Sequence, residues 1–175
     1  LVDPVALKAL LAVIGSILSI VSVLVYSALT IVNPGETKVV QFFGRYIGTV
    51  RRTGLVLTPL LSSRKTVSVR VRNFETSELK VNDADGNPVN IGAIVVWQVA
   101  DTARATFAVE DYANFVRVQS EAALRHVATT HPYDNADDGE ATLRGSTDQV
   151  SAELAHEVAE RVSLAGVEII EARIS

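Results

Sequence analysis

The hydrophobic residues near the amino end form one unbroken run. Residues 9–32 contain no charged residue and no proline. As a helix this run spans about 36 Å, enough to cross a hydrocarbon core of roughly 30 Å with some tilt. A signal peptide is the competing interpretation because Lys8 supplies a weakly basic start, but the run is long for one and no small-residue cleavage site follows. The pattern predicts a single transmembrane helix, the anchor, over residues 1–32.

Small and hydroxylated residues recur within this run at spacings of three and four. Such spacings put them on one face of a helix, where two helices can approach closely and hydroxyl groups can bond across the interface. The alternative is that small residues are simply tolerated in single-pass helices. The predicted packing face consists of Ala12, Gly15, Ser19, Ser22 and Tyr26.

After this apolar run, the sequence continues as short segments in which apolar and polar residues alternate. Asn33-Pro34-Gly35-Glu36 predicts the end of the helix and a turn. The stretch 83–88 predicts a hairpin turn, because a calcium loop would need a third ligand position and a later glutamate. The segment 88–99 is apolar on both faces, which predicts a central strand covered on both sides. Period-two patterns predict strands over 37–43, through 50 after a turn at 44–46, over 66–72, through 81, and over 88–99.

From residue 101 onwards the hydrophobic period changes to that of helices. We expect helices over 102–107 and 112–128, and a third that begins with a capping box at Ser146 and ends at Gly166. Between them, 133–145 is acidic and lacks an apolar period, which predicts an exposed loop. The segment 167–174 reads as a final strand. The fold class is therefore α+β, carried on a membrane anchor.

A short apolar block lies between two pairs of cations. It is too short to cross a bilayer, and Pro59 lacks the N–H group that a central strand needs. We expect it to be a loop that docks into the membrane interface; the alternative is that its leucines complete a protein core. The predicted membrane-docking residues are Leu55, Val56, Leu57, Leu60 and Leu61, with the cations Arg51, Arg52, Arg64 and Lys65.

Composition narrows the functional classes. The chain has 175 residues and a net charge of −4, with no cysteine and no methionine. This length allows the anchor and one compact domain or two small subdomains. Without a strongly basic face, nucleic acid is not an expected partner. Since the chain starts at Leu1 and contains no methionine, we expect further sequence upstream.

No constellation of residues predicts catalysis. His126, His131 and His156 show no metal-binding spacing, and His156-Glu157 lacks a second histidine four residues on. Nucleophile elbows, phosphate-binding loops and dinucleotide motifs are absent from the sequence. We therefore predict no catalytic residues, no cofactor-binding residues and no metal ligands, and a protein that is not an enzyme.

Several motifs in order carry a family resemblance. They are N-P-G-E-T-K-V-V-Q-F-F-G-R-Y (33–46), G-L-V-L-T-P-L (54–60), V-N-D-A-D-G-N-P-V-N-I (81–91), V-V-W-Q-V-A-D (95–101), E-A-A-L-R (121–125) and A-G-V-E-I-I-E (165–171). Following a membrane helix, this order resembles the SPFH or band 7 family of stomatins, prohibitins and flotillins. The resemblance implies a β-rich subdomain over 33–76 next to the membrane and an α/β subdomain over 77–175. It also implies a coiled-coil helix after residue 175.

The resemblance further implies a function. Members of this family assemble into rings or cages that enclose a membrane patch and hold or regulate membrane proteins, including proteases. We therefore expect a non-catalytic scaffold whose partners are membrane lipid, copies of itself and membrane-protein clients. The alternative is a monomeric, membrane-tethered accessory domain that binds one partner. Lys38, Arg45, Arg51 and Arg52 follow the span closely, which predicts a cytoplasmic domain by the positive-inside rule.

Overall fold

A long apolar helix opens the computed structural model, which describes residues 4–134 and 141–175. This helix, α1, is Pro4–Ala28. Within it, Leu7–Ala28 is long and apolar enough to cross a membrane, and none of its most apolar part is buried against the rest of the chain. The predicted apolar helix near the amino end is confirmed, but it ends four residues earlier than residue 32.

The first compact unit is Leu1–Val67, and besides α1 it consists of strands. Three of them form a sheet in the order β3-β2-β5, and the other two form the pair β1-β4. The fully buried side chains are valines, among them Val32, Val39 and Val67. The strands are β1 (Leu29–Val32), β2 (Glu36–Phe42), β3 (Arg45–Val50), β4 (Gly54–Leu57) and β5 (Ser62–Ser68).

Strand β1 corrects the predicted length of the helix. It pairs antiparallel with β4, with Leu29 opposite Leu57 and Val32 opposite Gly54. Its last three residues, Thr-Ile-Val, are β-branched and favour extended backbone over helix. The predicted turn does exist, since the Glu36 N–H donates to the Asn33 carbonyl at 3.1 Å. It joins β1 to β2 instead of ending α1.

The second unit is Ser68–Ser175. One sheet has the order β10-β9-β6, and β7 and β8 form a hairpin. The α4 side chains Val150, Leu154, Val158 and Val162 are fully buried, as their helical spacing predicts. The elements are β6 (Arg72–Glu75), β7 (Leu79–Asn82), β8 (Pro88–Ile91), β9 (Ala93–Val99), α2 (Thr102–Phe107), α3 (Tyr112–Thr130), α4 (Thr147–Val162), a 3₁₀ turn (Ser163–Ala165) and β10 (Val167–Ile174).

Two predicted strands are divided in the structure. The segment 66–72 is not one strand, because β5 belongs to the first unit, β6 pairs with β9 in the second, and Val71 between them is exposed. The segment 88–99 changes partners at Gly92, where β8 ends and β9 begins. Strand β9 is central, as predicted, but its second face is covered only in part, since Ile94 is exposed and Val96 is half-buried.

Smaller features of the second unit also differ from expectation. Ser146 precedes α4, but its side chain makes no capping hydrogen bond. Of the predicted acidic loop, residues 135–140 lie outside the described residues, and Thr142 and Leu143 are buried. Because β6 pairs with β9, residues 72–75 lie in the second unit, whereas the expected subdomain ended at 76. The subdomain limits 33–76 and 77–175 stay a prediction.

Candidate membrane-contact site

The end of α1 is bonded to the segment that follows β4. The backbone N–H and the hydroxyl group of Thr58 both donate to the Ala28 carbonyl, at 2.9 and 3.0 Å. The Arg64 guanidinium donates to the Ser27 carbonyl. The last carbonyls of a helix have no partner within the helix, and positive charge is favourable at that end. Residues 58–64 are therefore held at the place where the apolar helix stops.

The β1-β4 pair has one exposed apolar face. Leu29 lies opposite Leu57, and Ile31 lies opposite Leu55. Directly opposed side chains share a face of the sheet. Ile31 is 63% exposed, Leu55 68% and Leu57 70%, whereas Thr30 on the other face is buried. We name these four side chains, Leu29, Ile31, Leu55 and Leu57, the aliphatic patch. Because β1 follows α1 directly, the patch adjoins the end of the apolar helix.

The turn after β4 adds two more exposed leucines. Leu60 and Leu61 are both exposed, and the Ser62 hydroxyl donates to the Pro59 carbonyl at 2.7 Å across this turn. Leu61 has φ of 60°, in the left-handed region that bulky residues rarely adopt. Of the five predicted docking residues, only Val56 is half-buried. The leucines do not fill a core, and their contact with lipid stays a prediction.

The four predicted cations do not have the same surroundings. Arg51, Arg52 and Lys65 are exposed, and Arg64 is half-buried with its guanidinium at the end of α1. Residues 1–67 contain seven of the chain's 16 basic residues and only two of its 20 acidic residues. The first unit is therefore positively charged and the second unit strongly negative. Arg64 serves to hold the helix end, which the sequence did not indicate.

The predicted packing face of α1 is open along its whole length. Each of its five residues is exposed, and an added Cβ on Gly15 would meet no atom within 4 Å. Tyr26 is 81% exposed and lies in the last turns of the helix. No part of the described chain covers this face, so it is available to another helix. That it packs against one stays a prediction.

Asp83 builds the predicted hairpin turn between β7 and β8. Its carboxylate accepts hydrogen bonds from the backbone N–H groups of Asp85, Asn87 and Tyr133, at 3.0, 2.7 and 3.1 Å. Burial disfavours the charged form, but these bonds and one from the Asn87 amide outweigh it and lower the pKa of Asp83. Its oxygens are thus used by the turn. Within 4–134 and 141–175, no three potential ligands are grouped to hold a metal ion.

Comparison with known sequences adds the family. The family model described as SPFH domain / Band 7 family matches residues 30–175. The chain belongs to the SPFH, or band 7, family. An uncharacterised protein of Methanothermobacter thermautotrophicus is 25% identical over 111 residues, which are 63% of this chain and 35% of that protein. One of Archaeoglobus fulgidus is 29% identical over 112 residues, 63% of this chain and 45% of the relative. The chain thus spans less than half the length of these relatives.

The start of the SPFH match explains what the sequence analysis missed. The match begins at residue 30, inside β1, so this strand belongs to the SPFH domain and not to the anchor. Leu29 and Ile31 of the aliphatic patch were therefore not singled out. The β-branched residues Thr30, Ile31 and Val32 favour a strand, but they lie at the end of a longer apolar run. Thr58 gave no signal, because its role depends on a contact with Ala28.

Proposed function

We propose that this SPFH chain is the anchor and base of a non-catalytic, oligomeric membrane scaffold. Copies of it would form a ring or cage that organises a membrane microdomain and holds or regulates membrane proteins such as proteases. The observation that carries this proposal is the exposed apolar surface that runs from α1 into the aliphatic patch of the SPFH domain. A soluble protein rarely leaves so much connected apolar surface uncovered.

The anchoring role is supported by the dimensions of α1. Leu7–Ala28 has 22 residues, or about 33 Å of helix, against a hydrocarbon core of roughly 30 Å. Tyr26 near its end is the type of residue enriched at membrane–water boundaries. The bonds from Thr58 and Arg64 then hold residues 58–64 at that boundary. Leucines exposed there are well situated to enter the interface, as the aliphatic patch and Leu60 and Leu61 would do.

The positive charge of the first unit supports contact with an anionic membrane surface and a cytoplasmic location of the domain. Residues 33–67 carry one acidic residue, Glu36, against the basic residues Lys38, Arg45, Arg51, Arg52, Arg64 and Lys65. Basic residues near a membrane are attracted to anionic headgroups by about 1 kcal/mol each, and they bias the adjoining segment towards the cytoplasm. If protease added outside intact spheroplasts digests the domain, the cytoplasmic orientation is wrong.

Assembly is supported by the uncovered packing face of α1. Small residues allow close backbone approach between helices in lipid, where packing replaces the hydrophobic effect. The alternative is a monomeric, membrane-tethered accessory domain that binds a single membrane partner. The absence of catalytic motifs from the sequence fits both the scaffold and the accessory domain.

The mass of the particle extracted in mild detergent separates the two functions. For the scaffold we expect a discrete particle many times the mass of one full-length chain, stable on dilution. For the accessory domain the particle would contain one chain and its detergent belt. The measurement is multi-angle light scattering on the full-length protein, with the detergent contribution subtracted. A monomer at all protein concentrations would contradict the scaffold.

A further inference from the structure

The turn between β2 and β3 has a large aromatic residue where the backbone favours a small polar one. The strands pair as far as Phe42 and Arg45, which leaves Phe43 and Gly44 as a two-residue loop. Both have positive φ, 46° and 78°. This is the pattern of a type I′ turn, for which Asn-Gly is the preferred pair. Phenylalanine at the first position is therefore unfavourable for the turn itself.

Packing against the residues that the structure describes does not account for Phe43 either. Its side chain is 80% exposed, and the adjacent ring is that of Phe42, edge-to-face at 4.7 Å between centroids. Phe42 is itself exposed. Residues that break a local structural rule without a gain in the fold are concentrated at functional positions. Leu61 is the second such case in the first unit, since it too has positive φ, a bulky apolar side chain and high exposure.

The course of β2 brings this turn towards the end of α1. Lys38 Nζ donates to Thr30 Oγ1 at 2.8 Å, so β2 runs back beside β1. Further along, Val40 lines one shallow hollow with Thr58, which is bonded to the last residue of α1. Each strand residue advances about 3.3 Å, so Phe43 lies about 10 Å beyond Val40, on the side where α1 ends. The turn and the 58–64 segment are thus at the same end of the unit.

We propose that Phe43, with Phe42 beside it, is an aromatic anchor that enters the membrane interface at a point separate from the aliphatic patch. The inference rests on the proposed function, since it requires α1 to span the bilayer. Lipid is the occupant because the turn lies on the side where the membrane helix ends, and because the unit around it is basic, with Arg45 next in the turn. A phenylalanine ring offers a large apolar area, and phenylalanine is among the residues that interfacial segments bury at the boundary between headgroups and acyl chains.

The test uses the whole chain in vesicles of phosphatidylcholine and phosphatidylglycerol. Because the chain has no cysteine, Phe43→Cys gives a single site for an environment-sensitive fluorophore such as NBD. The matched control is Thr53→Cys, an exposed residue of the same unit. It precedes Gly54, which pairs with Val32 at the far end of β1 from α1. A third label, at Leu18→Cys, reports whether α1 is in the lipid.

We expect the label at residue 43 to be blue-shifted and quenched several-fold more by nitroxide lipids than the label at residue 53. The label at residue 53 should respond mainly to aqueous iodide. If residues 43 and 53 behave alike while residue 18 is in lipid, the aromatic anchor is wrong and the proposed function stands. If residue 18 is also in water, the proposed function fails with it. Shielding of residue 43 from both quenchers would show a protein contact with a second copy and would overturn the lipid assignment.

Discussion

Leucines have opposite environments in the two units of this SPFH chain. In the second unit, Leu154 of α4 is completely buried, whereas in the first unit Leu57 of β4 is 70% exposed. The charges differ in the same way, since basic residues dominate the first unit and acidic residues the second. The second unit has a conventional protein core. The first unit has a small valine core and an exposed surface that is apolar and basic. In our account, contact with the membrane covers this surface.

The largest expected effect compares those two leucines directly. Leu154→Ala should lower the free energy of unfolding by about 2–5 kcal/mol, because it leaves a cavity in the core. Leu57→Ala should change it by less than about 0.5 kcal/mol, as surface substitutions usually do. Urea denaturation followed by circular dichroism measures both, and the emission of Trp97, the sole tryptophan, follows the second unit alone. Equal losses would mean that Leu57 also serves a core.

Membrane affinity, unlike stability, should depend on the exposed leucines of the first unit. In a fragment of residues 29–175, which retains β1, Leu57→Asp with Leu60→Asp should abolish flotation with anionic liposomes. Burial of one leucine contributes about 1.5–3 kcal/mol, so loss of two lowers affinity at least about a hundredfold. The thermal melt should change little. The matched control is Val118→Asp with Leu164→Asp, two exposed positions of the second unit, which should still float.

Much of the second unit was predictable from sequence, and the first unit was less so. The helical period located α2 and the buried face of α4, because each of those patterns is local. Strand β1 was hidden in the apolar run of the anchor, and the break between β5 and β6 depends on which distant strand each one joins. The exposed leucines of β4 and the turn after it were singled out from composition, but Thr58 and Arg64 were not recognised as the caps of α1. Such non-local contacts leave no period in the sequence.

The packing face of α1 gives a third test, in lipid instead of water. Gly15→Leu with Ser19→Leu should convert the large detergent particle to smaller species, because bulk prevents close approach of helices. Loss of a hydroxyl group alone would matter less, since interhelical hydrogen bonds contribute only about 0.6 kcal/mol. Ile17→Ala, at an exposed position on the opposite side of the helix, should leave the particle mass unchanged. Similar dissociation by both changes would argue against a defined packing face.

A smaller effect is expected at the β2-β3 turn, with opposite signs for stability and membrane binding. Phe43→Asn puts the preferred residue into the turn and should stabilise the first unit by about 1 kcal/mol, the cost of a left-handed backbone for a bulky residue. The same change should weaken liposome flotation of residues 29–175. Thermal melting and flotation are measured on one preparation. A variant that is less stable would show that Phe43 has a packing role.

The smallest effect concerns pH and belongs to the second unit. Because folding lowers the pKa of Asp83, its ionised form stabilises the fold above the unfolded pKa of about 3.9. That contribution is lost as the pH falls from about 4 through the folded pKa. Asp83→Asn should reduce this acid sensitivity in melts monitored by Trp97, while Asp85→Asn, whose carboxylate makes none of the turn's bonds, should retain it. An unchanged profile in Asp83→Asn would contradict the assignment.

The central claim is that the first unit meets the membrane and the second does not. Nitroxide labels at Leu57→Cys and Val118→Cys test it most directly, because both are exposed aliphatic positions, one in each unit. The whole chain is reconstituted in anionic vesicles, and collisions with oxygen, which concentrates in lipid, are compared with those of a water-soluble nickel complex. We expect oxygen collisions to dominate at residue 57 and nickel collisions to dominate at residue 118. Nickel-dominated collisions at both positions would contradict the account.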